Sequence, residues 1–489
     1  MSDKGQRIQP KDESSELNGR SVSRREFLKI AGIAGATVGM GAGLGGLVAA
    51  CGGTATTTTA ATTPTTAGGE TTTTAAGSTT TVSASAAAGR EIKIGVVSPQ
   101  TGGLALYAKP DKWVVQQISA AVKDGVVCGD GKKHPISFNI VDSQSNSNRS
   151  AQVAGDLILN SKVDMILVSY SPDNVNPAAD QAETYGVPLI ANFVPWQAFY
   201  FGRGATATKP FKWTYMFHFG LQDVAQTYVG SWKQLSTNNK VGLLFPNDAD
   251  GGTWSNEKTG LPYYLTQAGY TYIMPGLHDP NADDFTAQIS AFKKGGVEIC
   301  AGIDTAGTFA NFWKQALQQE FRPKITTFGK ALPFHEGAAA LGDAVVGLTC
   351  EWGWHRAFPY KSSLTGETCT QLADRYETET GLGWSSLGGY SKFEVAIDVL
   401  KRVTDVDNKE LFPTAIQATK IDTISGTIDF TLPVKAGTAH PVLNACIIHI
   451  AQGQWVKSPG AKWPYEAVLV YSNYSDIPPE AKMQPLVYA

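Results

Sequence analysis

The sequence is poor in charge. Of its 489 residues only 17% are Asp, Glu, Lys or Arg, against a usual share of about 25%. Acidic and basic residues nearly cancel, leaving a net charge of −3. No basic excess is present to neutralise phosphates, which argues against a nucleic-acid partner. Catalytic signatures are missing too. There is no Gly-x-Ser-x-Gly elbow and no Gly-x-x-x-x-Gly-Lys-Ser/Thr phosphate loop. The seven histidines are scattered, without a His-x-x-x-His pair. The cysteines hold no Cys-x-x-Cys pair, so no metal site is expected. Asn247-Asp248-Ala249-Asp250-Gly251 resembles the start of a calcium loop, but Thr259 stands where that loop needs its bidentate glutamate. No catalytic residue and no cofactor is therefore expected. The chain reads as a binder without chemistry.

The N-terminal region is an address followed by a tether. Ser23-Arg24-Arg25-Glu26-Phe27-Leu28-Lys29 has the twin-arginine export pattern. Residues 30–50 are apolar, uncharged and glycine-rich, and the run ends Leu47-Val48-Ala49-Ala50-Cys51. Small residues before a cysteine fit a lipoprotein signal. Residues 1–50 are thus read as the signal peptide, and Cys51 as the residue that carries the lipid anchor to the membrane. The competing reading is an uncleaved span, since about 20 apolar residues suffice to cross a bilayer. Gly41-Ala42-Gly43-Leu44-Gly45-Gly46 matches a dinucleotide fingerprint by letter. No strand precedes it and no acid follows at the required distance, so it is discarded. Residues 51–89 are mostly Thr, Ala, Gly and Ser and cannot bury enough apolar surface to order themselves. They are read as a disordered tether.

From Arg90 onward the pattern alternates. Strands are expected at Ile92–Ser98, Ile136–Asp142, Val163–Tyr170 and Val187–Phe193, with helices between them. The rhythm restarts with strands at Lys240–Pro246, Tyr270–Met274, Val297–Ile303 and Ile325–Phe328. A helical pair at Cys369–Thr380 and Gly389–Thr404 follows, then mostly hairpin and irregular chain. This is an α/β pattern of two doubly wound, Rossmann-like units. Two such units place two sets of carboxyl strand ends where a ligand can bind.

The segments "EIKIGVVSPQTGGLALYA", "VDMILVSYSPDNVNPAADQAETYGVPLIA", "KVGLLFPNDADG" and "DDFTAQISAFKKGGVEICAG" occur in that order. Together with the export signal and tether, they make residues 91–450 similar to the type I periplasmic binding proteins of the leucine/isoleucine/valine-binding family. The resemblance implies two lobes joined by three crossing strands, near Trp213–Phe217, Gly347–Trp352 and Ser425–Ile428. Lobe 1 would be 90–213 plus 352–425, and lobe 2 would be 214–351 plus 426–489. It also implies an exported, lipid-anchored subunit of an ABC importer. Such a subunit passes a small solute to membrane permeases and works as a monomer on the outer face of the cytoplasmic membrane. A sensor reporting to a membrane receptor and a surface enzyme are the alternatives.

Ligand-binding candidates lie on the strand-end loops. In the first unit these are Tyr107, Ser171, Asp173, Asn174, Asn192, Phe193 and Trp196. Ser171, Asp173 and Asn174 could instead cap their own loop. In the second unit they are Asp250, Trp254, Asp304, Thr305 and Lys330. The resemblance implies an acid near the position of Lys330, and an unpaired lysine facing the cleft would favour an anionic ligand. Trp352 and Trp354 flank Gly353, and one of the two is expected to face the cleft, with ordinary packing between lobes as the competing reading. With Phe193, Trp196 and Trp254 it suggests an aromatic pocket for an aromatic acid, an amide or a larger apolar amino acid. After Cys51, five cysteines remain. Cys300 and Cys446 sit in apolar runs and read as buried thiols, whereas Cys350 and Cys369 could close a loop.

Overall fold

The computed structural model describes residues 86–206, 208–385, 387–435 and 441–488. The export signal, nearly all of the tether and Cys51 lie outside the described residues. The chain from Val82 to Ala489 forms one compact unit. Among the described residues no helix is long and apolar enough to cross a membrane.

Thirteen strands build two sheets. In chain order they are β1 (Ile92–Ser98), β2 (Ile136–Asp142), β3 (Met165–Ser169), β4 (Leu189–Asn192), β5 (Thr214–Phe217), β6 (Lys240–Leu244), β7 (Thr271–Ile273), β8 (Ile299–Ile303), β9 (Ile325–Gly329), β10 (Thr349–Trp352), β11 (Ala445–Cys446), β12 (Ala451–Lys457) and β13 (Tyr465–Ser472). The first sheet runs β11-β5-β4-β3-β1-β2 and is parallel throughout. The second runs β13-β12-β10-β9-β8-β6-β7, parallel except where β12 pairs with β10 and β13. Each sheet starts its order as second-first-third-fourth-fifth strand. The order therefore reverses beside β1 in one sheet and beside β6 in the other, and ligand crevices form at such reversals.

Both sheets are buried on both faces, which is why their strands are runs of Val, Ile and Leu rather than alternating patterns. In β3, Ile166 and Val168 pack under the helices Ser147–Leu159 and Pro172–Tyr185. Met165 and Leu167 face the opposite core with Trp113 and Ile118. In the second sheet Val241, Leu243 and Ile299 pack with the helix Leu221–Trp232. Leu244, Cys300 and Phe328 pack with Phe292, Phe309 and Phe312 on the other side.

The chain passes between the sheets three times. It leaves the first after Phe217 through residues 218–220, and leaves the second after Trp352 through residues 353–355. These segments directly follow the first two strands expected to carry crossings. The third differs. Ile424 and Ser425 form the turn of a hairpin, Lys420–Thr423 against Gly426–Asp429, and the chain leaves the turn at Gly426 with φ +92°. That left-handed backbone suits a glycine turn and not a crossing strand. The described residues of this stretch, 426–435 and 441–446, stay with the first lobe: Phe430 packs edge-on against Tyr215 and β11 pairs with β5. The return to the second sheet is at residues 447–450, so the expected boundary at 425/426 is some twenty residues early.

The five described cysteines are free and buried, Cys350 and Cys369 included. Burial pushes the thiols of Cys128 and Cys446 up to about 11. Iodoacetamide should therefore label none of them in the native chain and all five after urea, read by intact mass. Two unlabelled thiols in urea without reductant would reveal a disulfide.

Candidate functional site

A cavity of about 60 Å³ lies where the carboxyl ends of the two sheets face each other. From the first lobe come Tyr107, Ser171 after β3, Phe193 after β4, and His218 and Phe219 after β5. From the second come Asp250 and Trp254 after β6, Lys330 after β9, and Glu351, Trp352 and Trp354 at and beyond β10. Strand ends are where backbone must turn sharply, and four residues here do so at a cost. Tyr170, Ser171, Phe193 and Lys330 have φ of +72°, +67°, +59° and +63°. Left-handed backbone at a residue with a side chain costs about 1–3 kcal/mol and gathers at ligand clamps. Gly353 has a different reason to be glycine. A Cβ there would stand 2.7 Å from His218 Cε1 on the neighbouring crossing.

Charge is concentrated on one side. Lys330 Nζ lies 3.2 Å from Asp250 Oδ2 and 3.9 Å from Asp248 Oδ2. It also donates across the cleft to Ser171 Oγ at 3.4 Å. Burial alone would lower the ammonium, but the charges of Asp250, Asp248 and Asp173 outweigh it and hold the lysine above its ordinary value. Burial raises Asp250, and Lys330 only partly opposes that. Asp173 is raised by burial and by the charge of Asp248. Three carboxylates thus crowd one ammonium. Glu351 is pushed up to about 7 by burial, with the Tyr228 hydroxyl donating to it in opposition. Burial drives His218 down to about 3, so it is neutral at physiological pH.

The wall is otherwise aromatic. Tyr107 stacks on Tyr170 at 5.3 Å and meets Phe334 edge-on at 4.6 Å. Behind the cavity, Trp352 and Trp354 pack on Trp384 at 5.2 and 5.9 Å. Several polar atoms of the wall are buried with no hydrogen-bond partner in the protein: Asp250 Oδ1, His218 Nδ1, and the indole nitrogens of Trp254 and Trp352. Buried polar atoms normally find partners, so these mark a surface made to meet something. Among the described residues no group of three or more His, Cys, Asp or Glu could hold a metal ion.

The model of the periplasmic binding protein family matches residues 91–452. The chain belongs to that family. Its fold is the type I, two-lobed α/β arrangement. It is similar to a leucine-binding protein, LivK, from Thermotoga maritima, at 18% identity over 77% of this chain and 97% of that one, with a TM-score of 0.61. It is equally similar to an ABC-transporter solute-binding protein from Rhodopseudomonas palustris BisB5 in complex with 3,4-dihydroxybenzoic acid, at 19% identity over 80% and 99%, TM-score 0.62. A third is the branched-chain amino acid transporter protein LivJ of Streptococcus pneumoniae in complex with isoleucine, at 15% over 78% and 99%, TM-score 0.58.

In this periplasmic binding protein seven of the expected contact residues line the cavity: Tyr107, Ser171, Phe193, Asp250, Trp254, Lys330 and Trp352. Six do not. Asn174 donates to the Ser169 carbonyl at 2.7 Å, and Asn192 accepts from Ser169 Oγ and donates to the Gly388 carbonyl. Both tie strand ends together. Trp196 is buried in the separate core of the first sheet, against Phe201. Asp304 lies 3.2 Å from His278 Nε2, and Thr305 caps the helix Ala306–Gln318. Asp173 stands just behind Ser171, held by its hydroxyl. Nor is Lys330 the unpaired cation expected, because Asp250 neutralises it. Both tryptophans flanking Gly353 reach the wall. His218, Phe219 and Glu351 were not singled out from sequence. Their signal was position, since the crossing strands themselves border the cleft.

Proposed function

We propose that this protein is the extracytoplasmic solute-binding subunit of an ABC importer, anchored by lipid on Cys51. In this reading a small organic solute enters between the lobes, the lobes close on it, and the closed form docks on membrane permeases. The observation that carries the reading is the aromatic cavity at the facing strand ends, with its unpartnered polar atoms. Contacts across the cleft support closure as a hinge motion: Lys330 to Ser171, the Ala249 N–H to Asp173 Oδ1 at 3.4 Å, and Lys109 to Glu336 at 3.2 Å. A solute shifts the population toward the closed form only as far as it binds that form better. Leucine, isoleucine and 3,4-dihydroxybenzoic acid in the similar proteins support a small organic ligand here.

The test is a thermal-shift panel on the chain from Val82 to Ala489, covering amino acids, aromatic acids, amides and amines. A ligand at a hundred times its dissociation constant stabilises the fold by about 2.7 kcal/mol, which melting resolves. The bound solute should be recovered unchanged by mass spectrometry. A panel without a single hit would overturn the reading, and turnover of the bound compound would favour an enzyme. Full-length chain made in an exporting host should take up labelled palmitate, and Cys51→Ala should abolish it.

A further inference from the structure

We propose that the cavity is built for a compact alkylammonium cation and rejects a carboxylate of the same shape. The proposal rests on the solute-binding reading above and names the ligand class.

Charge supports it first. Lys330 is the one basic lysine or arginine among the described residues of the wall, and it is committed to Asp250 at 3.2 Å. Asp248 and Asp173 stand behind that pair, so negative charge is in surplus. Asp250 is 3% exposed, and its second oxygen, Oδ1, has no partner. A buried, unpaired carboxylate oxygen is costly until a donor or a cation meets it.

The donors at Ser171 and Ala249, on the two sides of the cleft, are already taken. The Ser171 hydroxyl donates to Asp173 Oδ2 at 3.3 Å. The Ser171 N–H donates to the Phe193 carbonyl at 3.3 Å. From the opposite lobe, the Ala249 N–H donates to Asp173 Oδ1 at 3.4 Å. Asp173 is thus the anion that the Ser171 hydroxyl and the Ala249 N–H already serve.

The walls favour a cation as well. Tyr107, Phe193, Phe219, Trp254, Trp352 and Trp354 bring aromatic rings to one small space. Ring faces carry negative charge density and attract ammonium groups, most strongly when water is excluded. His218 on the same wall is kept neutral by burial and does not oppose this. The unpartnered indole N–H of Trp254 suits a neutral acceptor such as a hydroxyl oxygen. A volume of about 60 Å³ fits a compact group, well below the roughly 300–1,000 Å³ of drug-sized sites.

The experiment is calorimetric titration of the chain from Val82 to Ala489 with four probes. They are choline, its neutral carbon isostere 3,3-dimethylbutan-1-ol, the anion 3,3-dimethylbutanoate, and L-leucine. Choline should bind, the isostere at least tenfold more weakly, and the anion not at all. Asp250→Asn should weaken choline at least tenfold and weaken the isostere by much less, so that the ratio of the two affinities collapses. Choline affinity should also fall between pH 7.5 and 5.0. Asp250 gains a proton over that range, with Lys330, Asp248, Asp173 and Glu351 as the charged groups facing it. If Asp250→Asn fails to fold, the isostere comparison and the pH series still decide. Tighter binding of 3,3-dimethylbutanoate or leucine than of choline would overturn the proposal, as would equal binding of choline and its isostere. If the wider panel yields only non-cationic ligands, the cation proposal falls and the solute-binding reading stands. A panel with no ligand at all removes both.

Discussion

Lys330→Met is expected to cost about 3–5 kcal/mol of folding stability near pH 7.5, the usual loss when one partner of a buried ion pair is removed. The cause is what the lysine leaves behind. Asp250, Asp248 and Asp173 face its Nζ, and the lysine is the cation that offsets their mutual repulsion. The ammonium is held above its ordinary 10.5. The stability it contributes is therefore fully present below that value and is lost only as pH rises through the higher folded value. Between pH 5.5 and 7.5 any pH dependence of the penalty must come from the acids. Lys330 lowers Asp250, so without it Asp250 protonates more readily and the buried charge disappears on acidification. Urea unfolding should show a smaller penalty at pH 5.5 than at pH 7.5. The double variant Lys330→Met/Asp250→Asn should recover part of the loss, a coupling expected of residues in contact. A penalty below about 1 kcal/mol at both pH values, the range of a surface pair, would mean that the ammonium is not what holds these carboxylates together.

Much of this arrangement was legible because strand ends are legible. Ile92–Ser98 and Ile136–Asp142 were placed to the residue: the first is a largely buried apolar run between turn residues, and the second, an edge strand, alternates apolar and polar residues. Loops after such strands carry the site in an open α/β sheet, so Ser171, Phe193, Asp250 and Lys330 followed, whereas Tyr107, in the short helix Ala105–Ala108, came from the family resemblance. What did not follow was direction. Asn174 and Asn192 sit on the right loops, yet their amides close hydrogen bonds within the lobe. Loop capping and ligand binding use the same residue types. Trp196 begins a short helix whose face turns into the first lobe's core. The charge of Lys330 was visible and its pairing was not, because Asp250 lies eighty residues away in sequence. The third crossing was misplaced for a similar reason. Residues 425–428 and 447–450 are both short β-branched stretches, and only pairing partners distant in the chain distinguish a hairpin from a passage between sheets.

Glu351→Gln should stabilise the fold at pH 8 and leave it unchanged near pH 4. The Glu351 carboxyl is raised by burial from 4.5 to about 7, against the opposing hydrogen bond from Tyr228. A raised carboxyl means that the folded state binds the proton more tightly than the unfolded state. Native stability then falls as pH rises from 4.5 to 7, and the full cost is present above 7. At about 1.4 kcal/mol per pH unit, that difference is worth roughly 3 kcal/mol. Glutamine keeps an oxygen for the Tyr228 hydroxyl and never acquires the charge. Melting curves of the two chains should therefore coincide in acid and separate progressively above pH 5, with the variant higher. Binding should move the other way. Glu351 borders the cavity beside Asp250, and a cationic solute gains from every carboxylate that is ionised there. The variant should hold choline more weakly at pH 8 while melting later, because the buried charge that destabilises the empty cleft is the charge that attracts its ligand. Parallel melting curves across the whole range would show that position 351 holds no costly charge, and the cavity would then depend on Asp250 alone.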